Sequence, residues 1–243
     1  MSAVDALPRA DALRVLLILP CFNEASSIGD VLQEIGNLGN GYDTLVVDDG
    51  SSDATDEIAR RRSSCVRLLC NLGIGGAVQT GIKYAQRRAY DVCIQIDGDG
   101  QHPPDQVERL LKAYRQERCN MVIGSRYRRA STFQSTRARR LGSLVIARAI
   151  RCLFRSPNIT DPTSGMRLMD RKAIALFSQC YPHDFPEPIS LTWALRAGLT
   201  IAEVPVEMRP REHGRSSIIG LMPLAYMVRV LGYVVLARVR SPG

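Results

Sequence analysis

A chain of 243 residues, 45% of them hydrophobic, can bury one sizeable core but not comfortably two, so a single unit with two lobes is expected. Its seven cysteines form no CxxC pair and stand at no zinc spacing with histidine, which excludes a zinc module; their odd number, and a start carrying Asp5 and Asp11 that is neither signal nor transit peptide, suit a reduced cytoplasmic setting. The net charge of +8 is concentrated in Arg126, Arg128, Arg129, Arg137, Arg139 and Arg140, an acid-free block that asks for an anionic partner such as phosphate, a membrane surface or nucleic acid.

Short apolar runs then alternate with longer amphipathic stretches, the pattern of a parallel sheet with crossover helices. Strands are predicted at 14–19, 44–48, 66–69, 92–97 and 121–125, and helices between them at 27–38, 54–62, 75–88 and 104–117. Most of the strand runs are apolar throughout, as strands covered on both faces are. Beyond Arg126 come a basic loop, a helix at 137–154, a loop through 161–165 and mixed short elements to 210. Residues 218–239 are nearly all apolar, but Pro223 and Arg229 interrupt them, which predicts a helix lying on a membrane surface or on the protein rather than a span.

Open sheets of this type bind ligands beyond the carboxyl ends of their strands. Those ends read Pro20-Cys21-Phe22-Asn23-Glu24, Asp48-Asp49-Gly50-Ser51, Asn71 through Gly76, Asp97-Gly98-Asp99-Gly100-Gln101-His102 and Gly124-Ser125-Arg126. In Asp97-Gly98-Asp99 the alternation puts two carboxylates on one side, with a glycine between them that lets a diphosphate approach. Hard carboxylate oxygens suit Mg2+ or Mn2+, and Gln101 follows within reach. Asp49, at the end of the second strand, is placed to accept hydrogen bonds from a ribose or base. Neither a GxGxxG fingerprint nor a P-loop can be written from the glycines at 73–76, which disfavours nicotinamide and P-loop enzymes.

Together with Asp161-Pro162-Thr163-Ser164-Gly165-Met166-Arg167, these motifs in this order resemble glycosyltransferase family 2, above all its polyprenyl-phosphate (dolichol-phosphate) mannose and glucose synthases. The resemblance runs from about residue 14 to 217. It implies an α/β fold of the GT-A kind, a mostly parallel central sheet flanked by helices, with a divalent cation and inverting transfer. The division it suggests is a nucleotide-sugar-binding half at 13–126, an acceptor half at 127–217 and an apolar C-terminal helix at 218–239.

Carried over by position, the resemblance puts Pro20, Phe22, Glu24, Val47, Asp49 and Asn71 around the donor. Asp97, Gly98, Asp99 and Gln101 would meet metal and diphosphate, and Arg126 the phosphates. The family usually has tyrosine at Phe22, so a hydroxyl contact is lost there while packing is kept. Arg139 and Ser143, one helical turn apart, match residues that hold an acceptor phosphate. Arg211 and Arg215 match a loop that closes over donor phosphates, as bidentate guanidinium groups suit; the usual final lysine of that segment is Ser217 here.

The implied reaction moves a hexose from a donor of the GDP-mannose or UDP-glucose type to a polyprenyl phosphate, an anionic nucleophile that needs no base. Transfer to a sugar hydroxyl of a lipid-linked glycan would need one, and Asp161 is expected to serve, ahead of Glu187 and Asp184. Peripheral membrane contact is expected, with a membrane partner protein or self-association. A nucleic-acid partner is not: the arginine block has few interleaved aromatics and no recognition motif.

Overall fold

The computed structural model describes residues 13–39, 41–128, 137–154, 159–209 and 222–239. Strand and helix alternate through the first half as β1 (Val15–Cys21), α1 (Ile28–Asn37), β2 (Asp43–Asp48), α2 (Thr55–Arg60), β3 (Ser64–Arg67), α3 (Gly73–Arg87), β4 (Val92–Gln95), α4 (Val107–Glu117) and β5 (Met121–Ser125). There follow α5 (Arg137–Phe154), β6 (Arg167–Asp170), α6 (Arg171–Gln179), α7 (Pro186–Arg196), β7 (Ile201–Pro205) and α8 (Met222–Val239).

The strands form one sheet in the order β3-β2-β1-β4-β6-β5-β7. All pairings are parallel except those of β6, which runs antiparallel to both β4 and β5. Both faces are covered, so successive residues of β1 serve different cores. Leu17 and Leu19 pack with Val31 and Ile35 of α1 and Leu110 of α4, whereas Leu16 and Ile18 pack with Ile82 of α3, Phe177 of α6 and Leu191 of α7. A smaller cluster joins Ile146 and Ile150 of α5 to Val230 and Val234 of α8.

Three strands differ from the sequence reading by two residues, and the first of them, β1, runs on to Cys21. β3 lies two residues earlier than predicted, because Val66 pairs with Val47 and the chain then leaves the sheet, with Leu69 fully in solvent. β4 stops at Gln95; the Ile96 N–H still donates to the Ile18 carbonyl at 3.0 Å before the chain turns at the acidic pair. The division at residue 126 also cuts across the sheet. β5 is not beside β4 but beyond β6, so strands from the two halves interleave.

Candidate active site

The carboxyl ends of the first three strands are laced together by polar side chains. The Asn23 N–H donates to Ser51 Oγ at 2.9 Å, Asn23 Oδ1 accepts from the Ser52 N–H at 2.8 Å, and the Glu24 N–H donates to Thr55 Oγ1 at 2.9 Å. Asn23 does this at φ 56°, a left-handed conformation that asparagine tolerates better than most residues. Gly50, at φ 73°, brings in the third strand end: a Cβ there would lie 3.0 Å from the Cys70 carbonyl carbon.

Asp49 is 3% exposed, and its Oδ1 accepts the Leu72 N–H at 2.7 Å. Burial raises its carboxyl above the usual range, against the pull of the Leu72 and Gly73 N–H groups. In this structure Asp49 therefore holds the β3–α3 loop that faces the site. Pro20 and Val47 are buried beneath this wall, Phe22 is 47% exposed at its rim, Glu24 is partly buried and Asn71 is exposed.

Asp97 and Asp99 stand where β4 leaves the sheet. Gly98 lets β1 approach closely between them, since a Cβ would fall 2.3 Å from Cys21 Sγ and push that side chain aside, and its carbonyl accepts from Ser27 Oγ at 2.9 Å. Cys21 is thus packing, and burial pushes its thiol well above the usual range. Behind Asp97 sits Gly165, whose missing Cβ would lie 3.0 Å from Asp97 Oδ1, so the second half of the chain touches the first acid. His102 Nδ1 lies 3.1 Å from Asp97 Oδ2 on a ring that is almost fully buried.

Asp99 Oδ1 accepts the Gln101 N–H at 3.0 Å, and the Gln101 carbonyl accepts the Arg209 N–H at 2.9 Å. Arg209 is moored in turn by Glu34, Nη1 to Oε1 at 2.7 Å. The segment leading toward Arg211 and Arg215 is thereby tied to the acidic pair. Arg211, Arg215 and the side chain of Arg139 lie outside the described residues. Ser143 is described: it is 3% exposed, and its Oγ makes no hydrogen bond among the described residues.

Arg126 and Asp161 meet each other. Arg126 Nε donates to Asp161 Oδ2 and Nη2 to Oδ1, both at 2.7 Å, and the Arg126 N–H adds a third bond to Oδ2 at 3.0 Å. Burial alone would lower the guanidinium, but Asp161 outweighs it and holds Arg126 firmly protonated. The expected base, Asp161, is fully buried with both oxygens engaged by Arg126, an arrangement that orients Arg126.

Of the other two acids considered, Asp184 is exposed, while Glu187 lies partly buried in the first turn of α7. Burial raises the Glu187 carboxyl; Arg167 pulls it down, Asp97 pushes it up and Arg126 pulls it down, which places it electrically inside the site. Its anchor was not foreseen from the sequence. Arg167 is 1% exposed and gives Nη1 to the Glu187 carbonyl at 2.6 Å and to Ser190 Oγ at 2.8 Å, Nη2 to the Pro162 carbonyl and Nε to the Ser164 carbonyl, each at 2.8 Å. A fully buried guanidinium with only neutral acceptors is costly, and burial lowers it. It joins the 161–165 loop to α7.

For a metal, Asp97, Asp99 and Gln101 offer two carboxylates and an amide, and no group of three or more His, Cys, Asp or Glu side chains suited to a metal exists among the described residues. Such a donor set fits Mg2+ or Mn2+, which keep waters and share their remaining positions with a bound diphosphate. It does not fit a metal caged by protein alone.

The profile of "Glycosyl transferase family 2" matches residues 16–177. The chain is 31% identical over 217 residues to the polyprenol monophosphomannose synthase of Mycolicibacterium smegmatis, covering 85% of this chain and 82% of that protein. It is 32% identical over 223 residues to the undecaprenyl-phosphate mannosyltransferase of Micrococcus luteus, covering 86% and 88%. Glucosyl-3-phosphoglycerate synthase from Mycobacterium tuberculosis, solved with Mg2+ and uridine diphosphate, superposes with a TM-score of 0.72 at 23% identity, covering 96% of this chain and 81% of that one, which shows a shared GT-A fold. The strand-end acids, the family profile and the full-length relatives agree: the chain belongs to glycosyl transferase family 2 and is a glycosyltransferase.

Proposed function

We propose that this enzyme transfers a hexose, with inversion, from a nucleotide-diphosphate sugar to a polyprenyl phosphate at a membrane surface. The observation that carries the reading is the convergence of Asp97, Asp99 and Gln101 with the Asp161-held Arg126 at the carboxyl edge of the sheet. The relatives named for polyprenyl-phosphate transfer, similar over most of both chains, support the acceptor class.

The nucleoside lies against the β1 to β3 ends, among Phe22, Glu24 and the Asp49-held loop. When bound, the divalent ion supplies positive charge beside the leaving diphosphate. Asp97, Asp99 and Gln101 hold it there. Arg126, fixed by three bonds to Asp161, adds a preorganised cation aimed at charge that grows as the sugar departs. The family resemblance gives the remaining phosphate contacts to Arg211 and Arg215, which lie outside the described residues. An acceptor phosphate is already anionic, so positioning by Arg139 and Ser143 suffices in place of a general base. The buried Ser143 hydroxyl, which has no partner among the described residues, supports that assignment, since a phosphate oxygen would give it one.

Membrane contact falls to α5 and α8. Neither helix carries an acid, and the residues they expose include Leu141, Leu144 and Val145 on one and Val228, Val235 and Leu236 on the other, beside Arg148 and Arg229. No helix among the described residues is long and apolar enough to cross a membrane. Apolar residues ringed by arginine suit an anionic lipid surface.

Glu187 favours a second reading, in which the acceptor is a sugar hydroxyl of a lipid-linked glycan and Glu187 is its base; in the first reading Glu187 accepts a hydrogen bond from the donor sugar. Radiolabelled donors incubated with polyprenyl phosphate, with Mg2+ or Mn2+, decide between them. Acid-labile lipid label that survives Glu187→Gln at a reduced rate supports the first. Label that appears only with a lipid-linked glycan acceptor, that acid releases within an oligosaccharide and not as free hexose, and that vanishes in Glu187→Gln overturns it.

A further inference from the structure

One buried acid has no part in the reaction as described. Glu203, in the edge strand β7 opposite Ile123, is 6% exposed, and its carboxylate points back under the loop that carries Asp161. It accepts the Asp161 N–H at 2.8 Å, and the Thr160 N–H lies 3.0 and 2.9 Å from its two oxygens. The Thr160 hydroxyl sits 3.2 and 3.1 Å from the same pair and 3.1 Å from Ser125 Oγ. Ser125 is the residue before Arg126, so the network closes on itself: β7 to the loop, loop to Asp161, Asp161 to Arg126, and Arg126 back to the end of β5.

Burying a carboxylate is expensive unless donors replace the lost water, and two backbone N–H groups and a hydroxyl do so here. Arg128, whose Nε lies 3.9 Å from Oε2 and whose Nη1 donates to the Glu203 carbonyl, adds a looser ion pair on the outer side. Burial still raises the Glu203 carboxyl, with the Thr160 and Asp161 donors opposing it. A loop that needed only to be closed could be held by neutral groups. The acid is spent where two successive N–H groups fix the backbone of the residue that grips Arg126.

We infer that Glu203 is a positioning residue for transfer: through Thr160 and Asp161 it sets the orientation of the Arg126 guanidinium toward the donor phosphates. This rests on the reading of Arg126 as a phosphate-facing cation.

Two measurements on the full-length protein test it. In a 15N-labelled sample, the Nε–H signal of Arg126, identified by its loss in Arg126→Lys, reports the bond to Asp161. Glu203→Gln shifts or broadens this signal; an unmoved signal overturns the proposal. In the transfer assay Glu203→Gln lowers kcat about tenfold, with the donor KM within about twofold, and adds less than about twofold to the loss in Arg126→Lys, as expected for residues in one network. A loss that multiplies fully in both backgrounds marks Glu203 as merely structural. Should Glu203→Gln not fold, Thr160→Val, which removes only the hydroxyl contacts, is read the same way with a smaller shift. If the wild-type enzyme makes no labelled polyprenyl phosphate, the acceptor reading fails, and the resonance alone decides the positioning claim.

Discussion

Asp99 accepts the Gln101 N–H, shaping the turn, and in the proposed reaction its carboxylate also holds the cation. Asp99→Asn keeps an acceptor for that N–H but loses the charge, so transfer should fall by at least about a hundredfold at nearly unchanged Tm, as when a group stabilising transition-state charge is removed; a parallel collapse of Tm would assign Asp99 to the fold instead. Glu187 predicts a pH effect. Its carboxyl is raised in the folded state by burial, so its contribution to stability is complete below the ordinary value of 4.5 and is lost as pH rises through the raised one. Glu187→Gln escapes that loss: its Tm should exceed that of the wild type near pH 8, and the gap should close on acidification toward about pH 4. A variant less stable than wild type near pH 8 would refute this. Asp97, Asp99 and Arg126 were legible in the sequence because each closes an apolar strand with an abrupt polar change. Glu203 and Arg167 were not, since Glu203 sits in Ala-Glu-Val-Pro like any solvent-facing strand acid, and only its partners about forty residues away reveal it. The one available sign was the charge inside the otherwise apolar strand that holds Glu203; Arg167 opens a strand that also carries Asp170.

The elements that frame the site approach one another more closely than ordinary side chains allow. Gly75, in the first turn of α3, would place a Cβ 2.3 Å from the Pro182 carbonyl oxygen and 2.8 Å from His183 Cα. Alanine favours a helix by about 1 kcal/mol over glycine, but overpacking against backbone costs about 1–3 kcal/mol, and these neighbours cannot rotate away. Gly75→Ala should therefore lower Tm by a few degrees, at roughly 2–4 °C per kcal/mol for a chain of this size; calorimetry giving an unchanged or higher Tm would mean that the 182–183 loop yields. The first five strands and their helices were readable because short apolar runs alternate regularly with amphipathic stretches and end at turn residues. β6 was not, because Arg167 and Asp170 leave it only two apolar residues and it runs against its neighbours. Its direction brings the 161–165 loop to the carboxyl edge, where Gly165 meets Asp97 and Asp161 meets Arg126.

For the whole molecule, the outward sides of α5 and α8 predict how the enzyme finds its lipid substrate. Leu144→Glu combined with Val235→Glu should abolish co-flotation with vesicles containing an anionic phospholipid while leaving nucleotide-diphosphate binding unchanged, and wild-type flotation should weaken as salt screens the arginines. Flotation that survives both changes would move the contact elsewhere. The sheet order has a further consequence, for synthesis on the ribosome. β5 is made at Met121–Ser125, but β6, which joins it to the rest of the sheet, follows about 45 residues later and β7 later still. At roughly 5–20 residues per second, an apolar strand with both edges open persists for a few seconds on the nascent chain. Chains stalled in that interval should recruit holdase chaperones and aggregate when released, whereas those extended past residue 205 should not.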